Sequence, residues 1–235
     1  MACSSGPNIV DDGLVAAYDA GNSKSYPGSG TTWTDLSGNG NNGSLVNGVG
    51  YNSGNLGSLS FDGTNDYISA PLNNPSGDWV HSIEFWMYMN QNQSAISARQ
   101  DPFQIGTPTT SRYSAVDISN NNFNWYFYAN DCRVNTTNLF VANTWYHIGL
   151  TYAGGGATST NKKLYINGVN RAFDTSGSAN LNIPANATLN IGRDGGRTTA
   201  YFNGRISNFK IYNNKALSAA EVQQNFNALR GRFGI

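Results

Sequence analysis

Residues 189–224 constrain the fold of this chain more than any other stretch. The segment opens on Leu-Asn-Ile-Gly (189–192), which alternates apolar and polar residues with the period of a strand that buries one face. Residues 194–199 (DGGRTT) are too polar and Gly-rich to pack, and are expected to form an exposed loop. Residues 202–212 then read as a hairpin strand entered through Asn203-Gly204, a pair that takes the positive φ angles of a tight turn. Phe209 and Ile211 share one face of this strand, and Asn208, Lys210 and Tyr212 share the other. Ile206 is out of phase with that pair, which predicts a bulge near Ser207-Asn208. Ser218 caps a short closing helix, and Glu221 three residues on completes a capping box.

The same period runs through the rest of the chain. Residues 13–21 hold a first strand, with Leu14, Ala16 and Tyr18 opposite Val15 and Ala17. A long Gly/Asn-rich excursion follows over 25–48, anchored by Trp33, and residues 58–70 read as a hairpin around DGTND. The most apolar strand, 82–90, sets Ile83, Phe85, Met87 and Met89 against Glu84, Trp86 and Tyr88, as a central strand covered on both faces would. Residues 91–112 are expected to turn around Pro102 and again around Pro108. Phe123, Trp125 and Phe127 alternate with Asn124, Tyr126 and Tyr128, and Tyr146, Ile148, Leu150 and Tyr152 share one face of a further strand. Gly154–Asn161 is expected to be a flexible tip and Asn167-Gly168 a second hairpin turn. The helix, about 219–230, carries Val222, Phe226 and Leu229 at helical spacing with Gly231 as its C-cap candidate.

Four pieces in series, LYING (164–168), LNIG (189–192), FNGRISNFKIYN (202–213) and ALSAAEV (216–222), resemble the C-terminal half of laminin-G-like domains in the concanavalin-A-like jelly-roll superfamily. GLVAAYDAG, WTDLSGNGNNG and FDGTNDYI are similar to the N-terminal half of bacterial and phage laminin-G-like domains, so the resemblance covers roughly residues 13–226. It implies an all-β jelly-roll β-sandwich of two antiparallel sheets with a short C-terminal helix. Residues 13–235 would form that one domain, and residues 1–12 an N-terminal arm. The closing segment 212–234 also resembles the tails of virion proteins from tailed marine phages.

Composition narrows the function classes. The 14 Lys and Arg residues balance 14 Asp and Glu and are scattered, which argues against nucleic acid or an anionic membrane as partner. No run approaches the ~20 apolar residues of a membrane span, and the N-terminus lacks the basic start and apolar core of a signal peptide. Together with these absences, the resemblance to phage proteins implies a virion surface as the setting, with the chain made in the host cytoplasm and released by lysis. Only two cysteines occur; Cys3 and Cys132 are read as free thiols of a reducing cytosol, with a bridge between them as the alternative.

Catalysis finds little support. Glycoside hydrolysis needs two carboxyl groups flanking the bond, whereas the chain has two Glu residues, Glu221 committed to a helix cap and Glu84 alone in an aromatic strand. His81 and His147 are read as packed residues rather than bases, and no nucleophile elbow, Walker loop or zinc spacing is present. The chain is expected not to be an enzyme. Calcium is the cation considered, on Asp35, Asn39 and Asn41 of one loop and Asp62, Asn65 and Asp66 of another; the laminin-G resemblance supports a rim site of this sort. The competing reading takes the same residues as turn formers. Carbohydrate binding needs aromatic faces beside planar polar groups. The candidates are Trp125, Tyr126, Tyr128, Arg133, Arg193, Asp194, Arg197 and Tyr201.

Two functions stand on these residues and resemblances. One is a non-enzymatic virion surface protein, a capsid decoration or tail-fibre module, that binds glycan or another host-surface polymer. The other is a structural decoration protein that docks on another virion subunit through residues 1–12, with homo-oligomers open to both. A glycoside hydrolase is the third and weakest reading.

Overall fold

Strands that alternate large apolar with polar side chains need a second apolar face to cover them. The computed structural model, which describes residues 8–197 and 199–235, provides it by stacking two antiparallel sheets. The first half of the chain contributes β1 (Leu14–Asp19), β2 (Thr32–Trp33), β3 (Gly43–Val46), β4 (Gly50–Asn52), β5 (Ser58–Asp62), β6 (Tyr67–Pro71), β7 (His81–Met89) and β8 (Gln100–Gly106). The second half adds β9 (Tyr113–Ile118), β10 (Asn122–Tyr126), β11 (Cys132–Asn135), β12 (Thr144–Tyr152), β13 (Lys162–Ile166), β14 (Val169–Arg171), β15 (Thr188–Ile191) and β16 (Asn203–Asn213). One helix, α1 (Ala219–Phe233), follows. The first sheet runs β14-β13-β12-β7-β16-β5-β4 with β1 also on β16; the second runs β11-β10-β9-β8-β15-β6-β3-β2. The all-β sandwich with a short C-terminal helix is therefore as the sequence implies.

The core lies between the sheets. Phe85, Ile148, Leu150, Phe209 and Ile211 of the first meet Phe103, Val116, Phe123, Leu189 and Ile191 of the second, all fully buried. Phe209 stacks on Phe85 at 5.4 Å between ring centroids and meets Phe103 edge-on at 5.5 Å. The expected bulge is present: the register of β16 against β7 shifts between Ile206 and Phe209. That shift lets both Ile206 and Phe209 reach the core although three residues separate them.

Three local signals resolve differently. The DGTND segment joins β5 to β6, but these lie in different sheets, so it is a corner between layers and not a hairpin. Likewise β15 and β16 belong to opposite sheets, and Asn203-Gly204 is the start of β16 rather than a turn. Gly204 is required there by close approach: a Cβ would sit 2.3 Å from the Tyr88 carbonyl oxygen. Pro102 lies inside β8, where the register against β9 shifts between Gln100 and Phe103, so its missing N–H falls at an irregularity in the ladder. Asn167-Gly168 does make the β13–β14 hairpin, with φ of 52° and 77°.

The outer face of β7 is covered by α1. Ser218 and Glu221 form the full capping box, and the helix passes Gly231 to end at Gly234 (φ 72°). The additional turn brings Phe233 onto Trp86 at 4.1 Å, which explains why the helix runs beyond Arg230. The described part of the N-terminal arm also docks here. The Val10 amide donates to Asn225 Oδ1 at 2.7 Å, and the Val10 carbonyl accepts from the Tyr212 hydroxyl at 3.1 Å. Residues 1–7, and with them Cys3 and its pairing, lie outside the described residues; Cys132 is buried and donates to the Ala157 carbonyl at 3.2 Å.

Glu84 lies fully buried beneath this helix and accepts from Asn225. Burial pushes its carboxyl up to about 7, against the opposing pull of Lys210 and Asn225. Burial, aided by Lys210, pushes His147 down to about 3, so the 3.7 Å Glu84–His147 contact joins two neutral groups from about pH 3 to 7 and is not an ion pair. The folded state keeps the Glu84 proton to about pH 7 while an unfolded glutamate releases it near 4.5, so this group subtracts stability as pH rises through that window. Glu84→Gln is expected to gain stability over the parent by on the order of 3 kcal/mol between pH 4.5 and 8. Urea unfolding of both proteins at the two pH values checks this; an equal difference at both would contradict it.

Candidate functional site

Alternation builds the site. Phe123 and Trp125 of β10 point into the core, so Asn124 and Tyr126 point outward from the second sheet. Register places Tyr126 beside Ala115, Gln104, Asn190 and Ser69 in one row across five strands, and Asn124 beside Asp117 and Arg133 in the next. Two connections fold over these rows. The approach to β8 contributes Arg99, and the crossing from β15 to β16 contributes Asp194 and Arg197.

Arg99 is the centre of the arrangement. Its guanidinium forks onto Asp101, Nε to Oδ1 at 2.9 Å and Nη2 to Oδ2 at 2.6 Å. It also lies 3.5 Å from Asp117 Oδ2 and 3.4 Å from Asp194 Oδ2, and 5.0 Å from the Tyr126 ring centroid. The remaining donors complete the carboxylates: Asn124 and the Tyr126 hydroxyl donate to Asp117 and the Gly196 amide to Asp194, with Arg197 Nε in an ion pair 3.2 Å from Asp194 Oδ2. Burial pushes the Asp101 carboxyl up to about 8, with Asp117 and Asp194 adding to the rise and Arg99 opposing it. Burial and the neighbouring carboxylates also raise the phenols of Tyr113 and Tyr126, which therefore act as hydrogen-bond donors at neutral pH.

Above this buried layer a cleft of about 200 Å³ opens between Arg99, Tyr113, Tyr126, Tyr128, Asp131, Asp194 and Arg197. Tyr128 (φ 48°) and Ala129 (φ 61°) sit on its wall in the left-handed region, which costs an ordinary residue about 1–2 kcal/mol. Tyr128 is 41% exposed, so core packing does not account for this conformation; strain of this kind concentrates at ligand sites.

The structure brings together Tyr126, Tyr128, Asp194 and Arg197, and sets Tyr201 in an adjoining cleft that shares Arg99. Arg193 lies 3.4 Å over the Tyr67 ring and donates to Asn190 Oδ1, and Arg133 is exposed on β11, outside both clefts. Trp125 is corrected outright: it is fully buried in the core, its indole N–H donating to Ser114 Oγ at 3.1 Å. Arg99, Tyr113, Asp117 and Asp131 are the site residues that sequence reasoning missed. Asp117 alone left a trace, as a carboxylate inside an otherwise apolar strand.

The residues considered for calcium fall into two turns. Both oxygens of Asp35 are taken, by the amides of Ala17 and Ser37 and by the Ser37 hydroxyl and the Asn41 amide. Asn41 reaches the Val15 carbonyl through its side chain, and Asn39 bonds Ser37. Asp62 accepts from the amides of Thr64 and Asn65, and Asp66 from the Asp62 amide. Among the described residues no group of three or more His, Cys, Asp or Glu is placed to hold a metal. These hydrogen bonds are those of turn formers.

Residues 62–223 match the laminin-G-type family described as the concanavalin A-like lectin/glucanases superfamily, and the chain belongs to it. No curated protein sequence matches the chain. Solved structures share the fold at low identity. The binding domain of botulinum neurotoxin serotype D superposes with a TM-score of 0.69 at 17% identity, covering 93% of this chain and 52% of that one. The same toxin's ligand-binding domain in complex with N-acetylneuraminic acid gives 0.66 at 16%, covering 92% and 51%. The chain thus spans about half the length of these toxin domains. Domain 4 of an extracellular GH43 arabinanase from Geobacillus stearothermophilus, in complex with arabinotriose, gives 0.61 at 19% and is covered almost entirely, 91% of this chain against 98% of that one.

Proposed function

We propose that this chain is a non-enzymatic carbohydrate-binding module whose ligand lies in the Arg99 cleft. The observation that carries the reading is the cleft itself: three tyrosines and two guanidinium groups around an opening whose floor is held rigid by buried carboxylates. Tyrosine faces suit the C–H surface of a sugar, and the planar guanidinium and carboxylate groups suit its hydroxyls. Arabinotriose on the arabinanase domain and N-acetylneuraminic acid on the toxin domain support carbohydrate as the ligand class. As the setting we propose a virion surface exposed to host glycans, on the likeness of residues 212–234 to phage virion tails.

Hydrolysis is disfavoured by the same geometry. Glu84 is sealed under α1, and Glu221 is held by Lys215 and the helix cap. Asp101, Asp117 and Asp194 keep at most 4% of their side-chain surface and are engaged by protein side chains and amides, so among the described residues lining the Arg99 cleft Asp131 is left without the second carboxyl that the reaction needs.

Tyr128→Ala is expected to weaken glycan binding about tenfold or more, as befits loss of one stacked aromatic, with the melting temperature unchanged. Titration calorimetry with a ligand found on a glycan array checks this. Binding is expected to persist in EDTA, because Asp101, Asp117 and Asp194 are already engaged by protein donors and Asp131 by itself is fewer ligands than a hard cation needs; loss in EDTA would place a cation in recognition. Equal affinity of Tyr128→Ala and the parent would move the site elsewhere.

A further inference from the structure

We infer that the site takes an extended, uncharged oligosaccharide, with sugar units in two clefts that meet at Arg99. This rests on the carbohydrate-binding reading above and specifies its ligand. The second cleft, about 130 Å³, is lined by Asp62, Gln91, Gln100, Tyr201 and Asn203, with Arg99 as the wall it shares with the first. The crossing from β15 to β16 serves both: it gives Asp194 and Arg197 to one cleft and Tyr201 to the other, and its ends are pinned by a bridge between Arg193 and Tyr201. At about 200 and 130 Å³, each cleft is smaller than the roughly 300 Å³ at which single-ligand pockets begin, and the two together reach that size. Each carries an aromatic side chain, Tyr128 in one and Tyr201 in the other. The second also offers carboxamides. Gln100 Oε1 is used by the Asn203 amide and Asn203 Oδ1 by Asn90, while the amide nitrogens of both side chains have no protein acceptor among the described residues.

Charge sets the class of sugar. Arg99 is shared by Asp101, Asp117 and Asp194, and Arg197 lies 3.2 Å from Asp194. Asp131 and Asp62 add a carboxylate to each cleft. With Asp101 protonated or ionised, carboxylates still outnumber guanidinium groups, and Lys162, the further cation that acts on Asp131, is fully buried with its ammonium on the Trp125 carbonyl, so no cation is left over for an anionic sugar. A sialic or uronic acid entering either cleft would meet uncompensated negative charge. The shared fold with a toxin domain that holds N-acetylneuraminic acid does not carry that preference across, because preference follows side chains and not the sandwich.

The test is titration calorimetry with neutral gluco-, manno-, galacto- and arabino-oligosaccharides of one to four units, and with sialyllactose and oligogalacturonates as anionic probes. At least one neutral series is expected to gain tenfold or more in affinity from one unit to three, with both anionic probes at least tenfold weaker. Tyr201→Ala is expected to abolish the gain in affinity with length. Gln91→Ala repeats the test should Tyr201→Ala fold poorly. A monosaccharide bound as tightly as its trimer overturns the two-cleft site, and preference for sialyllactose or oligogalacturonate overturns the charge argument; either result leaves carbohydrate binding standing. Binding of no probe, neutral or anionic, overturns this inference together with the carbohydrate-binding reading.

Discussion

Phe209→Asp is expected to yield no cooperatively folded protein. Phe209 is fully buried at the bulge of β16, stacked on Phe85 of its own sheet and edge-on to Phe103 of the facing one. Removing such a ring alone costs about 3–5 kcal/mol. A carboxylate in its place finds no cation in an aromatic environment and adds several kcal/mol more, or must take up a proton. Together these approach the ~5–15 kcal/mol total stability of an ordinary domain. The measurement is a thermal melt followed by near-ultraviolet circular dichroism. Phe209→Leu, which keeps an apolar side chain, is expected to melt cooperatively at a lower temperature. A cooperative, parent-like melt of Phe209→Asp would show that this residue does not join the two sheets.

Arg99→Ala is the second large effect. It removes the cation shared by Asp101, Asp117 and Asp194, whose side chains are 0%, 4% and 2% exposed. Breaking a buried ion pair from one side costs about 3–5 kcal/mol, because the partner charge remains. Arg99 keeps 21% of its side-chain surface in contact with solvent, so the lower end of that range applies. Arg99→Lys is expected to recover only part of the loss, since an ammonium lacks the fork that grips Asp101. Adding Asp101→Asn to Arg99→Ala is expected to recover stability at alkaline pH, where Asp101, held up to about 8 by burial even beside Arg99, would otherwise ionise without a partner, but not glycan binding. Urea unfolding of the three variants beside the parent measures this. An Arg99→Ala protein as stable as the parent would mean that the three carboxylates are satisfied without it.

The sandwich was legible because its signal is local. Period-two alternation in 82–90, 121–127 and 144–152 fixes which side chains enter the core, and the displaced phase of Ile206 marked the bulge. The partition into layers was not legible. DGTND and Asn203-Gly204 carry hairpin chemistry, yet one spans two sheets and the other lies within a strand, where Gly204 packs against the Tyr88 carbonyl, far off in sequence. The site divides the same way. Tyr126 and Tyr128 are outward by alternation, and by that rule Trp125 is inward with Phe123 and Phe127, since one residue of shift reverses the face. Arg99 and Asp194 are 95 residues apart and gain meaning only when two crossings fold over the same sheet. No spacing in the sequence records such a meeting.

The most direct test of the central claim is a glycan-array screen of the purified protein beside its Tyr128→Ala variant. The account predicts that the parent binds a set of neutral oligosaccharides and that the variant loses them while folding normally. A parent that binds no glycan, or a variant that keeps every signal of the parent, would contradict it.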